Sequence, residues 1–159
     1  AGLPGIPLAV YAPHLTVTLL DSLNKRVRFL MEVTAAMGLP NVRCIHARAE
    51  EAARTAEHRA VYDIAVSRAV ARLPVLLEYA LPFVRVGGTL LALKGRAYAA
   101  EQKEARHAAE VLGGGRITAR PVRLPGLDDV RAMLTVTKER QTPTAYPRGG
   151  GAPTRRPIL

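Results

Sequence analysis

The sequence predicts an α/β fold: a mostly parallel sheet flanked by helices and closed by an antiparallel hairpin. Three observations carry this. Short runs rich in leucine and β-branched residues alternate with stretches of helical period through most of the chain. Runs such as "TLLALK" are apolar throughout, as in strands covered on both faces. The last two strand-like runs, "RITARPVRLP" and "AMLTVTKE", are joined only by the turn-like "GLDDV".

Each element has its own reason. "AGLPGIPLAV" places Gly2, Pro4, Gly5 and Pro7 before an apolar stretch, which reads as a tight turn entering a helix. "LTVTLLD", residues 15–21, is a strand closed by an acid. In "SLNKRVRFLMEVTAAMG", Val27, Leu30, Met31, Thr34 and Met37 recur at helical steps, and Gly38 ends the helix. "NVRCIHA", residues 41–47, is a second strand, followed by "EEAARTAEHRAV" as helix or loop. "YDIAVSRA", residues 62–69, is a third strand and "LPVLLEYALPFV" an apolar helix. "GGTLLALKG", residues 87–95, is a fourth strand after a Gly-Gly turn, and "AAEQKEARHAAEVLGG" an amphipathic helix with a glycine stop. No internal repeat or interdomain linker is visible, so residues 1–140 read as one domain. The tail 141–159, "QTPTAYPRGGGAPTRRPIL", is rich in Pro, Gly and Arg, lacks acids, and reads as a loop or extended segment.

With 159 residues, 48% of them hydrophobic, the chain can bury a core. It has no Trp, and Phe29 and Phe83 are its only Phe, so that core rests on Leu, Val, Ala and Ile. The net charge of +10, from 23 Lys and Arg against 13 Asp and Glu, attracts polyanions: nucleic acid first, an anionic membrane surface second. A generally basic proteome would give the same sign. No apolar run approaches the roughly 20 residues of a membrane helix, and no signal peptide is legible. Cys44 is the only cysteine, which rules out an intrachain disulfide or a Cys-based zinc site. A reducing cytoplasm is the expected setting.

In an open α/β sheet, ligands bind beyond the carboxyl ends of the strands. The first strand delivers Asp21 and Ser22, following the glycine turn at the distance expected of a ribose-binding carboxylate. Asp21 could equally cap the next helix. The second strand delivers Ala49 and Glu50, which could flank an adenine or simply begin a surface helix. The third delivers Arg68, suited to a phosphate or a base, or to pairing with Glu50 or Asp21. The fourth delivers Lys94. Acids followed by cations suggest a hydroxyl-bearing, adenine-bearing cofactor on one side and an anionic substrate on the other. His14, His46, His58 and His107 show no metal-ligand spacing, Cys44 reads as core, and no nucleophile elbow or general base stands out.

"GLPGIPLAV", "TLLDSLNKRVRFL", "ARAEE", "YDIAVSRAVA", "LPFVRVGGTLLALKG" and "TPTAYPRGGGAPTRRPIL" together resemble the bacterial RsmG/GidB methyltransferases, in the family's order along the chain. The resemblance implies a Rossmann-like methyltransferase fold and transfer of a methyl group from S-adenosylmethionine to N7 of a guanine, guanine-527, in 16S ribosomal RNA. It implies cofactor contacts from Leu3, Gly5, Asp21, Ser22, Leu23, Ala49, Glu50 and Arg68, with Arg68 and Lys94 at the reaction. It also implies an RNA-facing surface of Lys25, Arg26, Arg48, Lys94 and Arg148. Lys25 and Arg26 would otherwise read as a solvated helix face. The tail is expected on or near the active site, the partner is 16S ribosomal RNA or the small ribosomal subunit, and a monomer without metal or membrane is expected.

The family's first strand and the start of its glycine loop, read as "D-x-G-[ST]-G-x-G", should stand just before Leu3. Only the end of that loop is present, so an N-terminally incomplete chain is expected, lacking a strand between those ending at Asp21 and Ser67. Two rival readings stay open: a non-catalytic RNA-binding fragment, and an NAD-dependent oxidoreductase using the same glycine turn and acid.

Overall fold

The computed structural model describes residues 2–126 and 129–159. It forms two compact units, Ala1–Ala52 and Ala53–Leu159.

In the first unit, α1 (Gly5–Tyr11), β1 (Val17–Asp21), α2 (Asn24–Ala36), β2 (Val42–His46) and the short α3 (Ala49–Ala52) follow in order. β1 and β2 pair in parallel, from Val17 opposite Val42 to Asp21 opposite His46. The opening turn is fitted to this sheet. A Cβ on Gly5 would stand 2.3 Å from Leu19 Cδ2, so the bare backbone lets α1 seat on β1. Asn41 ties the other end of the helix, its amide donating to the Ala9 and Leu15 carbonyls at 3.1 and 3.0 Å.

α2 buries Val27, Leu30 and Thr34, a single stripe at steps of one helical turn. Met31 and Met37, expected in that stripe, are 56% and 50% exposed. Met31 lies about 40° beyond Val27 around the helix, at the margin of the stripe, and Met37 is the C-cap residue after the last helical position. Gly38, at φ +61°, ends the helix as expected. The Leu39 and Gly38 amides bond back to the Thr34 and Ala35 carbonyls, each at 3.0 Å, a Schellman closure. Cys44, expected in the core, is half-buried.

The second unit contains β3 (Tyr62–Arg68), α4 (Leu73–Ala80), a 3₁₀ turn (Leu81–Phe83) and β4 (Val84–Lys94). These are followed by α5 (Tyr98–Glu104), α6 (Arg106–Val111), β5 (Thr118–Val122), β6 (Arg131–Thr137) and α7 (Ala152–Arg155). Its sheet has the order β3-β4-β6-β5, with β3 parallel to β4 and the closing hairpin antiparallel. β6 lies between β4 and β5, so the chain turns back to pair with β4 after running past it. Leu127 and Asp128 of the joining "GLDDV" lie outside the described residues.

Leu73, Leu77 and Leu81 pack with Leu90, Leu134 and Leu112 in one fully buried cluster. Cross-strand partners Ala92 and Leu134, and Leu90 and Val136, present the same face to the helices. Coverage on both faces is not met within this unit: Ile64 and Val66 of β3 are 52% and 37% exposed, because α4, α5 and α6 all contribute to one core on the other face. The single expected helix after β4 is two, interrupted at Ala105 (φ −84°, ψ 0°), and the tail contains the short helix α7.

Candidate functional site

The parallel register of β1 and β2 sends both strands out of the first unit's sheet at the same edge. Asp21-Ser22-Leu23 leaves from one strand and Arg48-Ala49-Glu50 from the other, and the Ala47 amide bonds to the Asp21 carbonyl at 3.2 Å. Asp21 Oδ1 accepts the Leu23 amide at 2.9 Å, while Oδ2 lies 3.5 Å from the Arg26 guanidinium. Asp21 therefore does not cap α2, whose N-cap is Leu23 with no side-chain cap bond; its Oδ1 closes a local turn just before the helix and uses one lone pair. His46 Nε2 donates to the Ser22 carbonyl at 3.1 Å, pinning the exit of β1 to the end of β2. Glu50 is buried and accepts from Arg48 Nε at 2.7 Å. Ala49 is half-buried, Leu3 and Leu23 are exposed, and Lys25 points into solvent from the first turn of α2. The edge thus carries two carboxylates, exposed apolar side chains and a basic rim.

In the second unit, β3 ends at Ser67-Arg68, and the chain turns at Ala69 with φ +55°. A left-handed alanine costs about 1 kcal/mol or more, so this corner is held by its surroundings. The turn leaves Arg68 exposed, and its guanidinium has no hydrogen bond or ion pair among the described residues. The Ser67 hydroxyl beside it is buried and has no hydrogen-bond partner among the described residues.

Lys94 differs from Arg68. Its ammonium donates to Glu101 at 2.7 Å and to the Ala71 carbonyl, and only 10% of its side chain is exposed. Glu101 also accepts the Leu73 amide at 2.7 Å. Lys94 therefore locks the end of β4 to the start of α4 through α5.

The tail is anchored by cations. Arg148 donates to Glu78 through Nε and Nη2 at 2.9 and 2.7 Å and through its own amide at 2.7 Å. Its Nη2 also reaches the Arg156 carbonyl at 2.8 Å. The hydrogen bond to Glu78 raises the Arg148 pKa above its already high ordinary value. Arg54 donates to the Pro147 and Ala145 carbonyls, and Arg59 to those of Thr142, Pro143 and Tyr146. Burial, with Arg54 close by, lowers the Arg59 pKa. Lys138, almost fully buried, donates to the Leu81 carbonyl at 2.8 Å and to the Thr142 hydroxyl. Burial first, and the Arg59 charge second, lower its pKa to about 8.

Asp21 and Glu50 are thus brought to one sheet edge, Arg68 stands free within its unit, and Lys94 and Arg148 are engaged by carboxylates. Sequence reasoning passed over Glu78, Glu101, Arg54, Arg59 and Ala69. A lone acid inside the apolar "LPVLLEYALPF" was a usable signal for Glu78, since such an acid must find a cation. Among the described residues, no helix is long and apolar enough to cross a membrane, and no group of three or more His, Cys, Asp or Glu could hold a metal.

Residues 1–122 match the family model described as rRNA small subunit methyltransferase G, GidB. The chain is 50% identical over 158 residues to Ribosomal RNA small subunit methyltransferase G of Alkaliphilus metalliredigens, aligning 99% of itself with 66% of that protein. It is 47% identical to the protein of the same name from Desulforamulus reducens, again over 99% of this chain and 66% of the other. The chain therefore spans slightly less than two thirds of the length of these relatives. In fold it is similar to the crystal structure of a protein described as a predicted O-methyltransferase from Agrobacterium tumefaciens. The TM-score is 0.70 at 18% identity, covering 89% of this chain and 71% of the other. The α/β architecture is that of S-adenosylmethionine-dependent methyltransferases, and the chain belongs to the rRNA small subunit methyltransferase G (GidB) family.

Proposed function

We propose that this chain carries out methyl transfer from S-adenosylmethionine to N7 of a guanine in 16S ribosomal RNA, acting on free RNA or on the small ribosomal subunit in the cytoplasm. The observation that carries this reading is the pair of carboxylates, Asp21 and Glu50, at the shared exit edge of β1 and β2 in a chain of this family. The donor set fits the cofactor. Asp21 Oδ2 receives no backbone hydrogen bond and is available to ribose hydroxyls, while Ser22 and Glu50 add polar partners and the Leu3, Leu23 and Ala49 side chains apolar ones. When bound, S-adenosylmethionine supplies an electrophilic methyl group on a sulfonium.

Guanine N7 bears a lone pair and no proton, so the chain needs no general base. Its own residues then have two tasks. In the first unit, Asp21, Ser22, Leu23, Ala49 and Glu50 hold the cofactor, with Leu3 and Gly5 in the opening turn, and Lys25, Arg26 and Arg48 supply a rim that attracts phosphates. In the second unit, Arg68 holds the anionic substrate with a guanidinium that has no other partner among the described residues. Lys94 sets the position of the β4 end, and Arg148 shapes the tail. Catalysis rests on orientation, which can contribute several kcal/mol without any proton transfer.

The test is transfer from labelled S-adenosylmethionine to unmodified small-subunit RNA, followed by digestion to nucleosides. Label in 7-methylguanosine is the expected result. Label in another nucleoside would overturn the target atom and keep the cofactor. RNA binding indifferent to S-adenosylmethionine, with no label, would replace the enzyme by a binding module.

A further inference from the structure

α5 and α6 bury Ala105, Ala108 and Ala109 and turn Lys103, Arg106 and His107 into solvent. Two concavities run along this outward side. The first, of about 450 Å³, is lined by Arg72, Lys103, Arg106 and His107 with Glu104 and Leu159. The second, of about 470 Å³, is lined by Arg106 and Arg116, with Glu110 and the Gly114-Gly115 backbone. Arg106 lines both, so the two concavities adjoin and together make up the α5–α6 groove.

The charges in this groove are unevenly committed. Glu104 is taken by Arg72. The side-chain charges of Lys103, Arg106 and Arg116 are exposed and have no hydrogen-bond or ion-pair partner among the described residues, against one carboxylate in the same state, Glu110. Uncommitted cations spaced along a concave surface fit a chain of phosphates better than a single anion. The groove also starts beside the β4 mouth: Arg72 immediately precedes Leu73, whose amide is held by Glu101, the partner of Lys94. Of the exposed large apolar side chains among the described residues, only Leu159, 67% exposed, lines these concavities, and none lies in α5 or α6, so the two helices lack the row of apolar anchors of a membrane-surface helix.

We propose that the α5–α6 groove is a phosphate track that grips the RNA backbone outside the reacting nucleotide, through Lys103, Arg106 and Arg116. This rests on the reading that the substrate is RNA. Contacts of this kind position the nucleic acid and carry no sequence information. The track fixes where the flanking RNA runs, while the strand-end residues act on the base.

The experiment compares the parent chain, the triple variant K103A/R106A/R116A and the charge-keeping triple K103R/R106K/R116K. Each is titrated with a small-subunit RNA fragment across a salt series, alongside S-adenosylmethionine binding and phosphatidylserine vesicles. The alanine triple is expected to bind RNA about tenfold or more weakly, with the slope of log affinity against log salt reduced by about 2–3. Its cofactor affinity stays unchanged, and the charge-keeping triple stays near the parent. A parent that binds RNA and an alanine triple with the same affinity and slope would overturn the track and leave the methyltransferase reading standing. Equal losses in both triples would overturn it by showing a packing role. Loss confined to vesicle binding would overturn it in favour of a membrane surface. A parent that neither binds nor methylates RNA would overturn the underlying reading as well.

Discussion

Glu78, fully buried in α4, accepts three hydrogen bonds from Arg148, seventy positions further along the chain. The pair fixes the middle of the Arg-rich tail against the most apolar helix of the second unit. Removing one partner of such a pair leaves a buried charge uncompensated. E78A is expected to destabilise the chain by on the order of 3 kcal/mol, somewhat less than a fully enclosed pair would give, because Arg148 keeps some water. E78Q keeps the volume and one acceptor and is expected to cost about half as much. Denaturant titration of the two variants checks the order, and equal stability of E78A and the parent would remove the anchor.

Asp21 has a local bond to the Leu23 amide and a longer contact with Arg26, neither of them deeply buried. D21A should therefore cost the fold only about 1 kcal/mol. If Asp21 Oδ2 receives the ribose hydroxyls, the same change should weaken S-adenosylmethionine binding tenfold or more, the worth of about 1.4 kcal/mol or above. Calorimetric titration and a melting curve on the same sample separate the two effects.

Arg68 and Lys94 looked alike in the sequence, each a cation at a strand end, and the structure distinguishes them. R68A should lower methyl transfer at least tenfold with melting unchanged, because the Arg68 guanidinium has no partner among the described residues. K94A should lower both, since it leaves the half-buried Glu101 carboxylate with the Leu73 amide as its one remaining partner among the described residues. Transfer by R68A at the parent rate would end the role assigned to it.

The corner after Arg68 gives an independent check. Ala69 sits at φ +55°, where glycine is preferred. A69G should leave the fold equally or up to about 1 kcal/mol more stable, whereas A69V should destabilise it by about 1–2 kcal/mol. If the strained corner orients Arg68, A69G lowers transfer despite the gain in stability. Equal transfer in A69G and the parent would assign the strain no part in function.

Much of this was legible beforehand for a physical reason: strand exits, helix periods and glycine stops are local properties. The glycine stop at Gly38 and the strand ends that bring Asp21 and Glu50 to one edge were legible from local pattern, while their cofactor role was implied only by the family resemblance. What stayed hidden was long-range pairing. Nothing local says that Lys94 is met by Glu101, that Arg148 reaches back to Glu78, or that Arg59 spends its donors on tail carbonyls. The helical period of α2 likewise could not say how wide a stripe the sheet would cover, which leaves Met31 exposed at its margin, or that the helix would end at Ala36, just before Met37. The interruption at Ala105 is a backbone event inside an otherwise continuous amphipathic pattern.

Lys138 offers a prediction in pH. Its ammonium is buried with only neutral oxygens for partners, the Leu81 carbonyl and the Thr142 hydroxyl, and its pKa falls from 10.5 to about 8. Between these values the unfolded chain holds a proton on Lys138 that the folded chain has released. Where the unfolded state binds more protons, stability rises with pH. The burial cost of Lys138 is therefore fully present below about pH 8 and is relieved as pH climbs toward 10.5. K138M removes the titrating group while filling a similar volume. The stability of the parent minus that of K138M, from denaturant titrations at neutral pH and above pH 9, should increase with pH. Parallel curves for the two proteins would mean that Lys138 keeps its proton when folded, and that the tail is anchored at this point by a full charge.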